Sequence, residues 1–258
     1  MITIKNDLQL AKMRSAGHLL YDVLCQLREK MAPGMTTLDL DRYAHELITH
    51  AHATPSFLGY EGYPATLCVS IDDEVVHGIP SKHIEMKEGS IVSVDCGLVL
   101  DGWQADSAFT KGMGQISPEC AQLIEVTERS FFEGARQAVD GNRLGDIGHA
   151  VQQLAESYNY GVIRDLTGHG IGREMHEDPA VYNFGEPGHG LRLRKGMTLA
   201  VEPMIAAGDW HVNEDDDEWC FRTRDGSLCS HYEHTIAIRE DGLPEILTFP
   251  GFQWKEEE

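Results

Sequence analysis

Apolar residues recur at helical spacing near the start of the chain: Leu10, Met13, Leu20, Leu24, Leu27 and Met31 predict one helix from Asp7 to Met31. The stretch APGMT ends it, and Thr37 reads as the cap of a second helix running to about Ala51. YEGYPATLCVSIDDEVVHGIP then reads as strand and loop, with β-branched residues and Gly-Pro punctuation. SIVSVDCGLVLDGWQADSAFTKG alternates as two strands joined at Asp101-Gly102, a hairpin signal. Ser117-Pro118 opens a third helix reaching about Val139, and Gly145 or Asp146 starts a fourth, DIGHAVQQLAESYNY. Strand patterns return at 197–204, 219–224, 231–238 and 245–249. Two helices followed by strands, twice over, predict an α+β fold of two related halves, with residues 1–258 forming a single domain.

The segment GHGIGREMHEDP sets His169 and His176 seven residues apart. Neighbours on one helix face lie three or four apart, and Gly168, Gly170 and Gly172 disfavour a helix. The two histidines are therefore expected to face one cavity from an irregular segment.

A two-residue turn at Asp101-Gly102 sets opposite one another the residues whose numbers sum to 203, so Asp95 faces Ala108. Asp106 is then the diagonal neighbour of Asp95 and shares its face of the hairpin. Two lone aspartates on an edge hairpin are usually solvated. Glu202 in MTLAVEPMIA and Glu233 in SHYEHTIAI weaken that reading, because both interrupt apolar runs where an unpaired ionised group is costly. Paired Lys or Arg would offset the cost, but basic residues are scarce in these segments. Divalent cations serve better. Four carboxylates and His169 suffice for two ions, with oxygen-rich ligation favouring Mn, Fe, Co or Mg and the imidazole keeping Zn open.

The 258 residues carry 41% hydrophobic side chains and no apolar run approaching the roughly 18 residues that cross a bilayer, so no membrane segment is expected. Nor does MITIKNDLQLAKMR read as a secretory signal. Six cysteines without a Cys-x-x-Cys pair fit reduced thiols and a cytoplasmic protein. A net charge of −21 argues against binding nucleic acid. The runs NEDDDEW and KEEE read as solvated.

From MITIKNDLQLAKMRSAGHLL to GLPEILT the chain resembles the bacterial form of the type I methionine aminopeptidases, which have a pita-bread α+β fold. The resemblance assigns the ligands of two divalent ions (Co, Mn, Fe or Zn) to Asp95 in SVDCG, Asp106 in DSAFT, His169 in GHGIG, Glu202 in VEPM and Glu233 in YEHT. Asp106 and Glu233 would bridge the ions, and Glu202 would assist deprotonation of the attacking water. His77 in EVVHGIP would contact substrate near its scissile amide, and His176 in EMHEDP would hydrogen-bond the carbonyl in the transition state. Standing alone, His77 would read as a loop histidine. The implied substrate is the initiator methionine of new proteins with a small second residue, and the enzyme is expected to be a monomer.

The methionine side-chain pocket maps onto Phe57, Tyr60, Tyr63, Cys68, Met175 and Trp219. Many relatives carry a small residue or Cys at the position of Phe57 and an aromatic at that of Met175, a swap that would conserve volume. Asp72 replaces an Asn at a monovalent-cation loop, and Glu218 stands where Gly usually precedes the tryptophan. Rival readings are an Xaa-Pro peptidase on the same scaffold and a non-catalytic binding protein. The first usually has a large preceding domain, and the second loses ligands that are all of the right type here. A type II enzyme would need a helical insertion in the second half.

Overall fold

The computed structural model describes residues 2–255. Helix α1 (Asp7–Lys30) starts at a capping box in which Asn6 Oδ1 accepts from Gln9 N at 3.0 Å and Gln9 Oε1 from Asn6 N at 2.9 Å. Helix α2 (Thr37–His50) is capped by Thr36, not Thr37. Thr36 Oγ1 takes the Asp39 amide, whereas the Thr37 hydroxyl is buried and donates to Ser81 O. Helix α3 (Pro118–Arg136) is capped by Ser117 and stops short of Val139, because residues 137–139 fold into a turn. Helix α4 (Leu144–Ser157) begins one residue ahead of Gly145.

The first half supplies β1 (Thr54–Pro55), β2 (Leu67–Ile71), β3 (Glu74–Val76), β4 (Ile91–Leu100) and β5 (Trp103–Gly112). The second supplies β6 (Gly161–Val162), β7 (Gly168–Gly170), β8 (Glu177–Val181), β9 (Thr198–Val201) and β10 (Met204–Ala206). It continues with β11 (Val212–Glu214), β12 (Phe221–Thr223), β13 (Cys229–His231), β14 (Glu233–Ala237) and β15 (Glu245–Ile246). The 197–204 pattern is thus two strands, β9 and β10, separated by Glu202-Pro203. Proline has no amide to give a ladder. The 231–238 pattern likewise divides at Tyr232.

The main sheet runs β1-β4-β5-β14-β9-β7-β8, with β2 on β4 and β15 on β14. The β4–β5 hairpin has the expected register, Asp95 opposite Ala108 and Gly97 opposite Asp106. Its turn residues Asp101 (φ 52°) and Gly102 (φ 75°) are both left-handed, as a primed turn requires. One apolar core joins all four helices to one face of this sheet. Leu20, Leu40, Phe131 and Ile147 meet Val94, Leu98, Ala105, Phe109 and Leu199 there. Strand alternation then turns Asp95 and Asp106 to the other face. Among the described residues no helix is long and apolar enough to cross a membrane.

Candidate metal centre and active site

Cross-strand pairing assembles the acids. Ala108 of β5 lies opposite Asp95 on one side and Glu233 of β14 on the other. Ala200 of β9 lies between Thr235 of β14 and His169 of β7 in the same way, and Glu202 follows it by two positions. The Thr235 hydroxyl donates to Asp106 O at 2.9 Å and accepts from Asp106 N at 3.1 Å, replacing the ladder where β5 and β14 part. Ligand atoms of Asp106, His169 and Glu233 all lie within 4.8 Å of one another. His169 Nε2 is 3.7 Å from Asp106 Oδ2 and 3.7 Å from Glu202 Oε1. The two 3.7 Å separations exceed hydrogen bonds, yet suit atoms that each reach about 2.1 Å to one ion.

Asp95 Oδ1, Asp106 Oδ1 and Glu233 Oε1 are buried with no hydrogen-bond partner. Burial first, and then the neighbouring carboxylates, drives the Asp95 and Glu233 carboxyls well above the usual range. Burial also pushes Glu202 up to about 8, which His169 partly relieves. Anions this close need positive charge between them, and no lysine or arginine lines the cavity. The donor set therefore fits divalent ions.

The imidazoles are held differently. His169 Nδ1 sits 2.9 Å from Gly170 O, which keeps the proton there and leaves the Nε2 lone pair facing the acids. Burial lowers its pKa, but Asp106 and Glu202 outweigh that and raise it. His176 lies in the irregular turn of residues 171–176, as expected, whereas His169 comes from the short strand β7, which pairs with β8 through a register shift. Glycine at alternate positions had hidden it. The His176 ring meets that of His169 edge-on at 4.3 Å, and its Nδ1 lies 2.8 Å from the Tyr60 hydroxyl. Burial, then the neighbouring His169, lowers His176 to about 4. His77 lines the same cavity with backbone φ of 61°, and burial lowers its pKa.

His231 was not expected. It is buried on β13, its Nε2 unpartnered and 3.9–4.0 Å from Glu202 Oε2 and Glu233 Oε2. Its place two residues before Glu233 was the available signal. The buried Thr235, two residues after Glu233, was also missed.

The cavity beside the acids measures about 190 Å³, and Phe57, Tyr60, Tyr63, Cys68 and Trp219 line it. Met175 does not. It is 1% exposed and packs with Phe57, Tyr60 and Trp103 behind that wall. Gly97 explains the arrangement: a Cβ there would come within 2.6 Å of Met175 Cε and 2.9 Å of Phe57 Cε1. Both side chains thus occupy the space over one glycine. A surface cleft of about 470 Å³ bordered by His18, Arg239 and Trp254 is larger, but its Glu245 is paired with Arg14 and it gathers no ligand cluster.

The NEDDDEW run is not simply solvated. Asp215 binds Arg222 at 2.6 Å, and Asp217 accepts the Trp219 and Cys220 amides, so the run shapes the loop carrying Trp219. In that loop Glu218 has φ of 62°, a conformation glycine adopts freely. Asp72 turns its carboxylate to Ser90 Oγ and Ile91 N, each at 3.0 Å. The last three residues of KEEE lie outside the described residues. All six cysteines are unpaired thiols.

Fold and chemistry together define a metallohydrolase of the pita-bread class. The signature of metallopeptidase family M24 spans residues 11–240. A methionine aminopeptidase of Clostridium acetobutylicum is 53% identical over 248 residues, 96% of this chain and 99% of that protein. The crystal structure of methionine aminopeptidase from Rickettsia prowazekii matches with a TM-score of 0.94 at 41% identity, over 96% of this chain and 100% of that one. A prolidase from Pyrococcus horikoshii shares the fold alone, at 20% identity and a TM-score of 0.77 over 95% of this chain and 63% of that one. The chain belongs to metallopeptidase family M24, among the methionine aminopeptidases.

Proposed function

We propose that this chain removes the initiator methionine from newly made proteins whose second residue is small. Two divalent ions would be held by Asp95, Asp106, His169, Glu202 and Glu233. The observation that carries this reading is the set of buried, unpartnered carboxylate oxygens beside an aromatic-lined cavity. Bound there, divalent ions would supply Lewis acidity for the peptide's free α-amino group, the scissile carbonyl and a water.

The protein's own groups do the rest. Glu202 receives the proton of the attacking water, as a carboxylate lining the cavity beside the scissile bond can do. With the Tyr60 hydroxyl, 2.8 Å away, as donor to His176 Nδ1, the neutral ring would carry its proton on Nε2 and offer it to the developing oxyanion. His77 steadies the scissile amide. Phe57, Tyr60, Tyr63, Cys68 and Trp219 enclose the methionine side chain, and Met175 sets the position of Phe57 from behind. The catalytic unit is read as one domain acting as a cytoplasmic monomer.

Hydrolysis of Met-Ala-Ser after chelation and re-addition of single divalent ions tests the reading. Activity should vanish on chelation and return with Mn, Fe, Co or Zn, the best of them naming the preferred ion. Faster cleavage of an Xaa-Pro dipeptide than of Met-Gly-Met would instead favour an Xaa-Pro peptidase. Metal stoichiometry retained in Asp106→Ala or His169→Ala, together with retained activity, would overturn the site.

A further inference from the structure

Lys5 lies in the extended segment ahead of α1, yet it is only 5% exposed. Its Nζ donates to Glu177 Oε2 at 2.7 Å and to Thr3 Oγ1 at 2.6 Å, and the Thr3 hydroxyl donates to the same Glu177 oxygen. The other oxygen, Oε1, accepts the Arg173 amide at 2.9 Å and the Glu174 amide at 3.4 Å. One carboxylate thus closes the turn from Gly172 to Glu177 and ties it to the amino-terminal segment. That segment is itself anchored by Lys5 N donating to Gly196 O at 2.7 Å. There is no spare room: a Cβ on Gly172 would lie 2.5 Å from Glu177 Oε1 and 2.6 Å from Lys5 Cε.

His176 immediately precedes Glu177, and on its other side the same turn carries Met175, buried against Gly97. A buried ion pair returns little net stability, because desolvation offsets the attraction. What such a pair does supply is a single geometry. Here the geometry belongs to a turn whose one catalytic group must meet a substrate oxygen within hydrogen-bond reach.

We propose that Thr3 and Lys5 are positioning residues: through Glu177 they fix the His176 imidazole over the metal centre. The proposal rests on the reading that His176 meets the reacting carbonyl.

The test uses the full chain loaded with Mn, with kcat and KM on Met-Ala-Ser, metal content and thermal midpoint measured for each variant. Lys5→Met should lower kcat about tenfold with KM within about twofold and metal content unchanged, since a small misplacement costs rate rather than binding. Lys5→Met/Glu177→Gln leaves no unpaired charge and keeps the backbone bonds of Oε1, so it should recover most of the loss. In a His176→Gln background, Lys5→Met should have almost no further effect on kcat, because its route of action is gone. Should Lys5→Met not fold, Thr3→Val is read by the same criteria.

Equal losses in both backgrounds would overturn the proposal, as would full kcat in Lys5→Met while His176→Gln loses it. Full kcat in His176→Gln would instead overturn the reading of His176, and the proposal with it.

Discussion

The Tyr60 hydroxyl lies 2.8 Å from Nδ1 of His176, and the two rings are tilted with centroids 5.2 Å apart. With the hydroxyl as donor, the contact would select the tautomer that leaves Nε2–H for the substrate proposed above. Tyr60→Phe removes the donor, and the ring then carries its proton on either nitrogen. Steady-state kinetics should show kcat reduced about tenfold with KM changed much less, short of the roughly 10²–10³-fold lost when an oxyanion donor is removed outright. An unchanged kcat would break the link between Tyr60 and the reaction.

The crowded carboxylates make metal affinity depend on pH. Burial raises Glu202 to about 8, and Asp95 and Glu233 move upward as well. Without metal, the folded chain keeps these protons at pH values where an unfolded chain has released them, beginning near 4.5 for Glu. The contribution of these three carboxyls to the stability of the metal-free protein should therefore be full at low pH and fall as pH rises toward 8. Divalent ions displace the same protons, so their affinity should climb over that window. Thermal midpoints with and without Mn between pH 6 and 8 should diverge as pH rises; a constant gap would contradict the assignment.

Gly97→Ala places a methyl where Met175 Cε and Phe57 Cε1 already stand. Met175 is enclosed, so Phe57 is the side chain that must yield, toward the cavity. Overpacking of this kind costs about 1–3 kcal/mol. KM for methionyl peptides should rise several-fold, and adding Phe57→Ala should restore it. A KM that does not move would mean that Phe57 does not bound the methionine subsite.

Glu218 is exposed and holds φ at 62° in the loop before Trp219. Glu218→Gly relieves a left-handed conformation that costs non-glycine residues about 1 kcal/mol, partly offset by greater freedom of the unfolded chain. The thermal midpoint should rise by about 1–3 °C. A fall would show that the carboxylate contributes more than the backbone conformation costs.

Much of this architecture could be read from local pattern. The Asp101-Gly102 turn fixes a register, and from register alone Asp95 and Asp106 share a face. Three of the helices follow from periodicity and side-chain caps at Asn6, Thr36 and Ser117, with Thr36 misread by one position because either threonine is a good cap. What escaped depends on distant partners. Gly168–Gly170 has no alternation of its own and is a strand because β9 and β8 flank it. The division at Glu202-Pro203 sends β10 to a separate sheet with β13 and β6, which buries His231 near the acids. Met175 was assigned to the pocket by correspondence, and only packing over Gly97 reveals that Phe57 stands in front of it.

Strand β14 lies between β5 and β9, although it follows both in the sequence, more than 120 residues after β5. During translation the early hairpin emerges with Asp95 and Asp106 long before Glu233 exists to complete their row. A ribosome that has made everything up to Tyr232 therefore holds two unjoined edges and an incomplete cluster of acids. An enzyme devoted to newborn chains would, by this order of assembly, be inert until Glu233 had itself been born.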